Sequence, residues 1–258
     1  MGVHMLLTID IGNTNTTIGL FDGERLLDCW NVRTDTRRTA DEYRVALEAL
    51  LKGADIAPGL VQGACIASVV PQLTETWRQL CERCFSTPAL VVDADTHLGI
   101  TIYYDNPRDL GIDRALAAAA AHQLFGSDLI VVDFGTATTM DYVSSQGLFM
   151  GGTIMPGFKT AADALFEKTR KLPRIEYELP QGMLGTSTTA CLQIGIVGGY
   201  CLMIEAMVAR IRRQVQGTPN VVATGGLGTL IARHTNCIDT VDEHLLIKGL
   251  KLAYELNR

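Results

Sequence analysis

Two short motifs in the sequence combine a carboxylate, a glycine and hydroxyl or amide side chains at the same spacing. Asp10-Ile11-Gly12-Asn13-Thr14-Asn15-Thr16-Thr17 and Asp133-Phe134-Gly135-Thr136-Ala137-Thr138-Thr139 each follow an apolar run typical of a strand. Glycine lets the backbone approach a bulky anion, and the amides and side chains that follow can donate to phosphate oxygens. The carboxylate of Asp10 suits Mg²⁺, which prefers carboxylate and phosphate oxygens. A hairpin turn closed by its own side chains is the alternative for one copy, whereas two copies favour phosphate binding.

A third candidate is an aspartate in the segment 106–114, which has the sequence NPRDLGIDR. The segment leads into an Ala-rich stretch that favours a helix up to about residue 125. Asp113 would lie in the first turn of that helix, where the helix dipole and Arg114 favour an ionised carboxylate that can accept a proton. The alternative is structural, with Asp109 as the helix N-cap and Asp113 compensating the dipole.

The remaining candidate motifs are weaker. The turn 224–228 (TGGLG) follows an apolar run and lets a ligand lie against the backbone, but such turns often serve packing alone. The chain has no Gly-Lys dipeptide and no G-x-G-x-x-G, which excludes a P-loop and a dinucleotide fingerprint. Cys81 and Cys84 lack a second ligand pair for zinc. The basic cluster 33–38 predicts a solvated loop, with phosphate contact as the alternative.

The composition predicts a globular protein of one or two domains. Of its 258 residues 47% are hydrophobic and 19% are charged, and the net charge of -6 argues against a nucleic-acid partner. Seven scattered cysteines favour a reducing cytosol over a disulfide scaffold. Because no signal-peptide pattern and no long uncharged apolar run is found, we expect a cytoplasmic protein that does not contact a membrane. No function is assigned to residues 1–4.

The elements that must position these motifs repeat between the two halves of the chain. Apolar periodicity predicts strands at about 5–10, 16–22 and 25–33, a helix at 40–53, a strand at 64–69, a helix from Pro71 and a short strand at 89–92. The second half predicts strands near 129–134, 138–144 and 148–155, helices near 160–170 and 188–214, and a strand at 220–224. The two Asp-Gly motifs lie 123 positions apart (133 − 10), so we expect an internal duplication with two like domains facing a cleft.

In this order, the motifs resemble those of the type III pantothenate kinases, within the superfamily of acetate and sugar kinases, Hsp70 and actin. The resemblance covers the chain from Met5 onward and rests on residues 10–15, 106–107, 111–114, 132–139, 151–157 and 224–226. It implies an α/β fold of two duplicated ribonuclease H-like domains, the actin-like ATPase fold, with an interdomain active-site cleft. The domain with the phosphate motif would span 5–118, and the domain with the cation and adenosine motifs would span 119–258.

The activity that this resemblance implies is ATP-dependent phosphorylation of pantothenate to 4′-phosphopantothenate, the first step of coenzyme A biosynthesis. Asp113 would be the general base, and the protein would be a homodimer. Matched positions imply substrate contacts at Tyr104, Gly111, Ile112, Asp113, Arg114 and Thr188. They imply ATP contacts at Asp10, Ile11, Gly12, Asn13, Thr14, Asn15, Thr16, Thr17 and Thr136. Asp10 would serve Mg²⁺, and Asp133 would hold a monovalent cation, K⁺ or NH₄⁺.

One segment departs from the family pattern, which often has Gly-Lys-Asn-Thr where this chain has Gly185-Thr186-Ser187-Thr188. Thr188 is retained, but its neighbours differ. Two other functions stay open at this point. A kinase or phosphatase acting on a sugar or carboxylate is disfavoured by the segment 111–114, and a nucleotide-binding regulator without turnover is disfavoured by the three aspartates at 10, 113 and 133.

Overall fold

A computed structural model describes residues 5–85, 87–169 and 171–258. The strands in chain order are β1 (Met5–Ile11), β2 (Asn15–Asp22), β3 (Arg25–Arg33), β4 (Val61–Ser68), β5 (Ala89–Val91), β6 (Thr101–Ile102), β7 (Leu129–Phe134), β8 (Ala137–Val143), β9 (Leu148–Pro156), β10 (Asn220–Thr224) and β11 (Thr240–Val241). The helices are α1 (Ala40–Gly53), α2 (Pro71–Phe85), α3 (Ile112–Phe125), α4 (Phe158–Lys168), α5 (Thr188–Gln193), α6 (Gly199–Val215), α7 (Gly228–Ala232) and α8 (Leu245–Leu256). The predicted elements lie within a few residues of these bounds.

The chain forms two compact units. Unit 1 runs to Gln123 and resumes at Leu245, and unit 2 spans Leu124–His244. The sequence predicted a division between residues 118 and 119, which falls inside α3, and it placed the C-terminal helix in the second domain. In the structure that helix is part of unit 1, because α8 packs against β1, β2 and β4.

Unit 1 is built on a sheet with the strand order β3-β2-β1-β4-β5. The first three strands form an antiparallel meander, and β4 and β5 join in parallel. Alternate residues of β1 (Leu7, Ile9 and Ile11) share one core with α1 and α2. The opposite face carries Thr8 and Asp10 and is covered by α8, whose Ile247 fills the space above Gly19 where a side chain would stand.

Unit 2 repeats this arrangement. Its strands follow the order β9-β8-β7-β10-β11, again a meander of three followed by two parallel strands. Val132 and Phe134 of β7 face the core that holds Tyr200 and Ile204 of α6, so Asp133 lies on the other face of its sheet, as Asp10 does in unit 1. The predicted internal duplication is therefore confirmed by strand order and by the placement of both aspartates.

The long helix predicted near 188–214 is present but not uniform. Between α5 and α6 the residues Ile194–Gly198 form a π-helical turn, which the apolar pattern did not predict. The whole stretch Thr188–Val215 is long and apolar enough to cross a membrane by length and composition, so the expectation that the chain has no long apolar run is wrong. That test is weak here, because Tyr200, Ile204 and Val208 are buried in the core of unit 2 and a core helix passes it equally well.

Candidate active site

The first Asp-Gly motif forms the turn between β1 and β2. Ile11 pairs with Thr16, and the four residues between them form the turn, closed by Gly12 N donating to Asn15 O at 3.0 Å. A Cβ on Gly12 would lie 2.9 Å from that oxygen, which is tighter than a side chain tolerates. Residues 13–15 are exposed. The amides and side chains predicted to bind phosphate therefore lie at the surface of unit 1.

A residue that the sequence did not single out braces this turn. Thr34 directly follows β3, and its Oγ1 donates to Gly12 O at 2.8 Å. The backbone N of Thr34 donates to Thr14 O at 3.0 Å. The basic cluster around it is solvated as predicted, since Arg37 is 88% exposed and pairs with Asp35 at 3.0 Å. That hydrogen bond lowers the pKa of Asp35 to about 2.

The second Asp-Gly motif forms the turn between β7 and β8. Gly135 N donates to Ala137 O at 3.1 Å, and residues 135–137 are exposed. The carbonyl oxygen of Thr136 accepts from Gly157 N at 3.1 Å and from Thr160 Oγ1 at 2.7 Å. A Cβ on Gly157 would overlap the carbonyl oxygens of both Gly135 and Thr136. The turn thus rests closely on the N-terminal end of α4.

The predicted glycine-rich turn lies beside Asp133. β10 runs parallel to β7 with Thr224 in register with Asp133, and the chain then turns through Gly225 with a φ of +82°. A Cβ at Gly225 would overlap Asp133 Oδ1 and crowd the carbonyl oxygen of Phe134. Glycine is therefore needed here because the Asp133 carboxylate and the Phe134 carbonyl lie directly against the backbone of residue 225. Both groups are hard oxygen donors of the kind that bind a cation such as K⁺ or Mg²⁺.

A metal site built from side chains alone finds no support in residues 5–85, 87–169 and 171–258. Among the residues that the structure describes, no group of three or more His, Cys, Asp or Glu is placed to hold a metal ion. Cys81 is buried in the core of unit 1, and burial raises the pKa of its thiol to about 12. A cation at Asp10 or Asp133 would therefore need backbone oxygens, water or the phosphates of a ligand to complete its coordination.

The predicted general base lies at the start of α3. Asp113 is half-buried in the first helical turn, and its Oδ1 accepts from Arg114 N at 2.9 Å. A Cβ on Gly111 would lie 2.5 Å from that Oδ1, so glycine leaves room for this orientation of the carboxylate.

The alternative hypothesis that Asp109 is the N-cap of α3 is wrong. Asp109 ends a short 3₁₀ helix (Pro107–Asp109), and its Oδ1 accepts from Asn106 Nδ2 at 2.8 Å. Asn106 in turn caps that 3₁₀ helix. The first hydrogen bond of α3 runs from Ala115 N to Gly111 O, so Asp109 does not cap α3.

The other predicted substrate residues are divided between the units. Tyr104 is exposed in unit 1, where Ile112 is half-buried and Arg114 is buried. Thr188 is exposed in unit 2 at the first position of α5. Ser187, part of the segment that departs from the family pattern, caps α5 by accepting from Ala190 N at 3.2 Å. A residue that departs from the family pattern therefore caps the helix that begins at Thr188.

Comparisons with known proteins decide the family. A sequence model described as type III pantothenate kinase matches residues 6–210. The chain is 44% identical over 254 residues to the type III pantothenate kinase of Anaeromyxobacter sp. (strain K), a match covering 98% of this chain and all of that protein. The chain belongs to the type III pantothenate kinase family. The predicted family, and the prediction that the protein is a kinase, are confirmed.

Other relatives agree with this type III pantothenate kinase assignment. The type III pantothenate kinase of Bacillus cytotoxicus is 41% identical over 253 residues, covering 98% of this chain and 97% of that protein. Among solved structures, MreB 5 of Spiroplasma citri bound to AMPPNP has a TM-score of 0.53 at 9% identity, with 98% of this chain and 96% of that chain covered. At such identity the likeness shows the fold alone, and it confirms the predicted actin-like ATPase fold.

Proposed function

We propose that this protein transfers the γ-phosphoryl group of ATP to the hydroxyl of pantothenate, which gives 4′-phosphopantothenate for coenzyme A synthesis. The observation that carries this proposal is the 44% identity to a type III pantothenate kinase over 98% of the chain. The two Asp-Gly turns and the aspartate at the start of α3 support it, because they supply the parts that phosphoryl transfer needs. Those parts are an anion cradle, carboxylates for cations and a base.

The turn of residues 12–15 would hold the phosphates of ATP. Its exposed amides and the side chains of Asn13, Thr14 and Asn15 are suitable donors. Asp10, two residues earlier, would bind Mg²⁺, and Thr136 in the second turn would also contact ATP. When bound, Mg²⁺ neutralises charge that develops on the phosphate oxygens.

Asp113 would act as general base. Its carboxylate would accept the proton of the pantothenate hydroxyl while that oxygen attacks the γ-phosphorus and ADP leaves. Tyr104, Gly111, Ile112, Arg114 and Thr188 would orient the substrate. In a loose transition state, positioning and charge neutralisation contribute more to the rate than the base does.

Asp133 would hold a monovalent cation, K⁺ or NH₄⁺. The carboxylate of Asp133 and the carbonyl oxygen of Phe134, which both lie close to Gly225, support this assignment. We also propose that the protein works as a cytoplasmic homodimer without a nucleic-acid or membrane partner. Its acidic net charge of -6 is consistent with small-molecule ligands held by local donors.

A coupled assay of ADP release tests the proposal. We expect turnover that requires pantothenate, Mg²⁺ and K⁺ together and that does not occur with sugars or acetate. Asp113→Asn should lower kcat by about 100- to 10,000-fold with little change in the Kd for ATP. The matched control is Asp109→Asn, an exposed aspartate four residues away, which should retain nearly full activity.

Two outcomes would contradict the proposal. Nucleotide binding without pantothenate-dependent ADP release would favour a regulator that keeps the fold but lacks turnover. A wild-type kcat in Asp113→Asn would leave the kinase activity in place and overturn the role of that residue as the base.

A further inference from the structure

The residue after β3 contacts the phosphate turn through both its side chain and its backbone. Thr34 Oγ1 donates to Gly12 O at 2.8 Å and lies 3.0 Å from Thr16 Oγ1. Thr34 N donates to Thr14 O at 3.0 Å. Thr16 is fully buried, and Thr34 is half-buried. One residue from outside the hairpin thus contacts three residues of the turn and its flank, two through its side chain and one through its backbone N–H.

The direction of these hydrogen bonds follows from counting hydrogens. A carbonyl oxygen can only accept, so the one hydroxyl hydrogen of Thr34 is used on Gly12 O. Thr16 Oγ1 must therefore donate to Thr34 Oγ1. The hydrogen of Thr17 is also committed, because Thr17 Oγ1 donates to Asn31 Oδ1 at 2.9 Å. Neither threonine of β2 has a hydroxyl hydrogen left for a phosphate oxygen.

A hydrogen bond that fixes the direction of a backbone C=O also fixes the direction of the N–H in the same peptide unit. The C=O of Gly12 and the N–H of Asn13 belong to one planar trans peptide, so they point in opposite directions. The same holds for the C=O of Thr14 and the N–H of Asn15. Thr34 binds both carbonyls and therefore directs the amides of Asn13 and Asn15 away from itself.

Thr34 is held in turn by the core of unit 1. The backbone N of the next residue, Asp35, donates to Tyr43 Oη, and Tyr43 Oη donates to Asp35 O, both at 3.0 Å. Tyr43 is fully buried in α1, and its ring lies 5.0 Å from that of Trp77. The turn is therefore braced against a rigid part of the molecule.

We propose that Thr34 is a positioning residue that presets the amides of Asn13 and Asn15 for the phosphates of ATP, and that Thr16 and Thr17 hold the hairpin and do not donate to phosphate. The inference rests on the proposed function, because it places the phosphates at this turn. It deepens that function by naming a residue that acts through the turn without touching the ligand.

The test compares Thr34→Val, which removes the hydroxyl but keeps the branched shape and the backbone N–H, with Thr34→Ser, which keeps the hydroxyl. Thr34→Val should raise the KM for ATP and the Kd for ADP by about 10-fold, as the loss of one hydrogen bond predicts, with little change in the KM for pantothenate. Thr34→Ser should restore wild-type values. Thr36→Val, the same change at an exposed position two residues away, is the matched control.

A purely structural role predicts a different result. It would lower the melting temperature while leaving the KM for ATP unchanged, and that outcome overturns the proposal. Tyr43→Phe is a second variant in case Thr34→Val folds poorly, because it keeps the buried ring and removes only the anchor of Asp35. A wild-type Kd for ADP in that variant as well as in Thr34→Val, or a failure of serine to restore binding, also overturns it. ADP binding is measured without pantothenate, so it decides the role of Thr34 even if the wild-type protein does not phosphorylate pantothenate.

Discussion

The hairpin turn of unit 1 and that of unit 2 occupy the same place in the same strand order but differ in length and in the residues that they expose. Four residues separate the last paired residues in the first turn, Ile11 and Thr16, and three separate Phe134 and Thr138 in the second. In each unit a threonine from beyond the third strand, Thr34 or Thr160, donates its hydroxyl to a carbonyl of the turn. Both turns are thus held by a threonine hydroxyl, whereas three polar residues are exposed in the turn of unit 1 and only one, Thr136, in the turn of unit 2.

The surroundings of the two aspartates differ more. Asp10 is in register with Ala67 of β4, and the chain leaves that strand through Ser68, whose hydroxyl accepts from Val70 N at 3.0 Å. The strand next to Asp133 is followed instead by Gly225, which adopts a left-handed φ. In unit 1 the turn at Ser68 leads the chain into α2. In unit 2 the backbone at Gly225 lies directly against the carboxylate of Asp133. This difference is consistent with separate roles in phosphate and cation binding.

The largest effect is expected when the charge of Asp10 is removed, and comparison with the same change at Asp133 distinguishes the two roles. Asp10→Asn should lower kcat/KM by about 100- to 1000-fold and raise the Mg²⁺ concentration needed for half-maximal rate, because it removes a charged oxygen ligand. Asp133→Asn should instead raise the K⁺ requirement. Activity would be titrated with each ion for both variants. If both variants respond to the same ion, the two turns are not functionally distinct.

A large loss of stability is expected from Gly157→Ala in unit 2. Its Cβ would overlap two backbone oxygens of the second turn, which cannot move aside as a flexible side chain can. We expect a loss of about 3 kcal/mol in the free energy of unfolding, measured by urea denaturation. Gly199→Ala in α6 has open space around its Cβ and should be neutral or slightly stabilising. Equal losses in both variants would show that the turn does not rest on α4 as described.

A smaller effect is expected from Gly12→Ala in unit 1. Its Cβ would meet a single oxygen, Asn15 O, at 2.9 Å, and the exposed turn can adjust by a few tenths of an ångström. The expected loss is about 1 kcal/mol of stability, together with a higher KM for ATP. Thermal unfolding and steady-state kinetics measure both. A loss as large as that of Gly157→Ala would mean that the first turn is the more rigid of the two.

The smallest effect is expected from Thr160→Val. It removes one of two hydrogen bonds to Thr136 O and leaves the amide of Gly157 in place, so about 1 kcal/mol of stability should be lost. Thr160→Ser should recover most of it. An unchanged unfolding midpoint in Thr160→Val would show that the amide alone holds the second turn.

The local parts of the fold and site were predictable from the sequence. The spacing of apolar residues predicted the three strands of each meander, and the two Asp-Gly motifs fell at equivalent register positions because each ends an apolar strand. Asp113 was placed correctly in the first turn of α3 by the Ala-rich stretch that follows it.

The parts that were not predictable depend on contacts between distant residues. Thr34 lies 22 residues from Gly12, and no local pattern connects a threonine after one strand with a carbonyl before another. The C-terminal residues were assigned to the second domain, 119–258, because periodicity could not show which sheet α8 would cover. The π-helical turn at Ile194–Gly198 was missed because its side chains are as apolar as those of the helices on either side.

The membership of α8 in unit 1 also has a consequence for biosynthesis. All of unit 2 is translated before α8, so β1, β2 and β4 leave the ribosome long before the helix that covers one of their faces. Unit 2 can complete its own core first, whereas unit 1 must keep Thr8, Gly19 and their neighbours uncovered until the last residues emerge. The sheet that is synthesised first is thus the last to be fully packed. A chain that ends near residue 244 would lack α8, the helix that covers one face of this sheet.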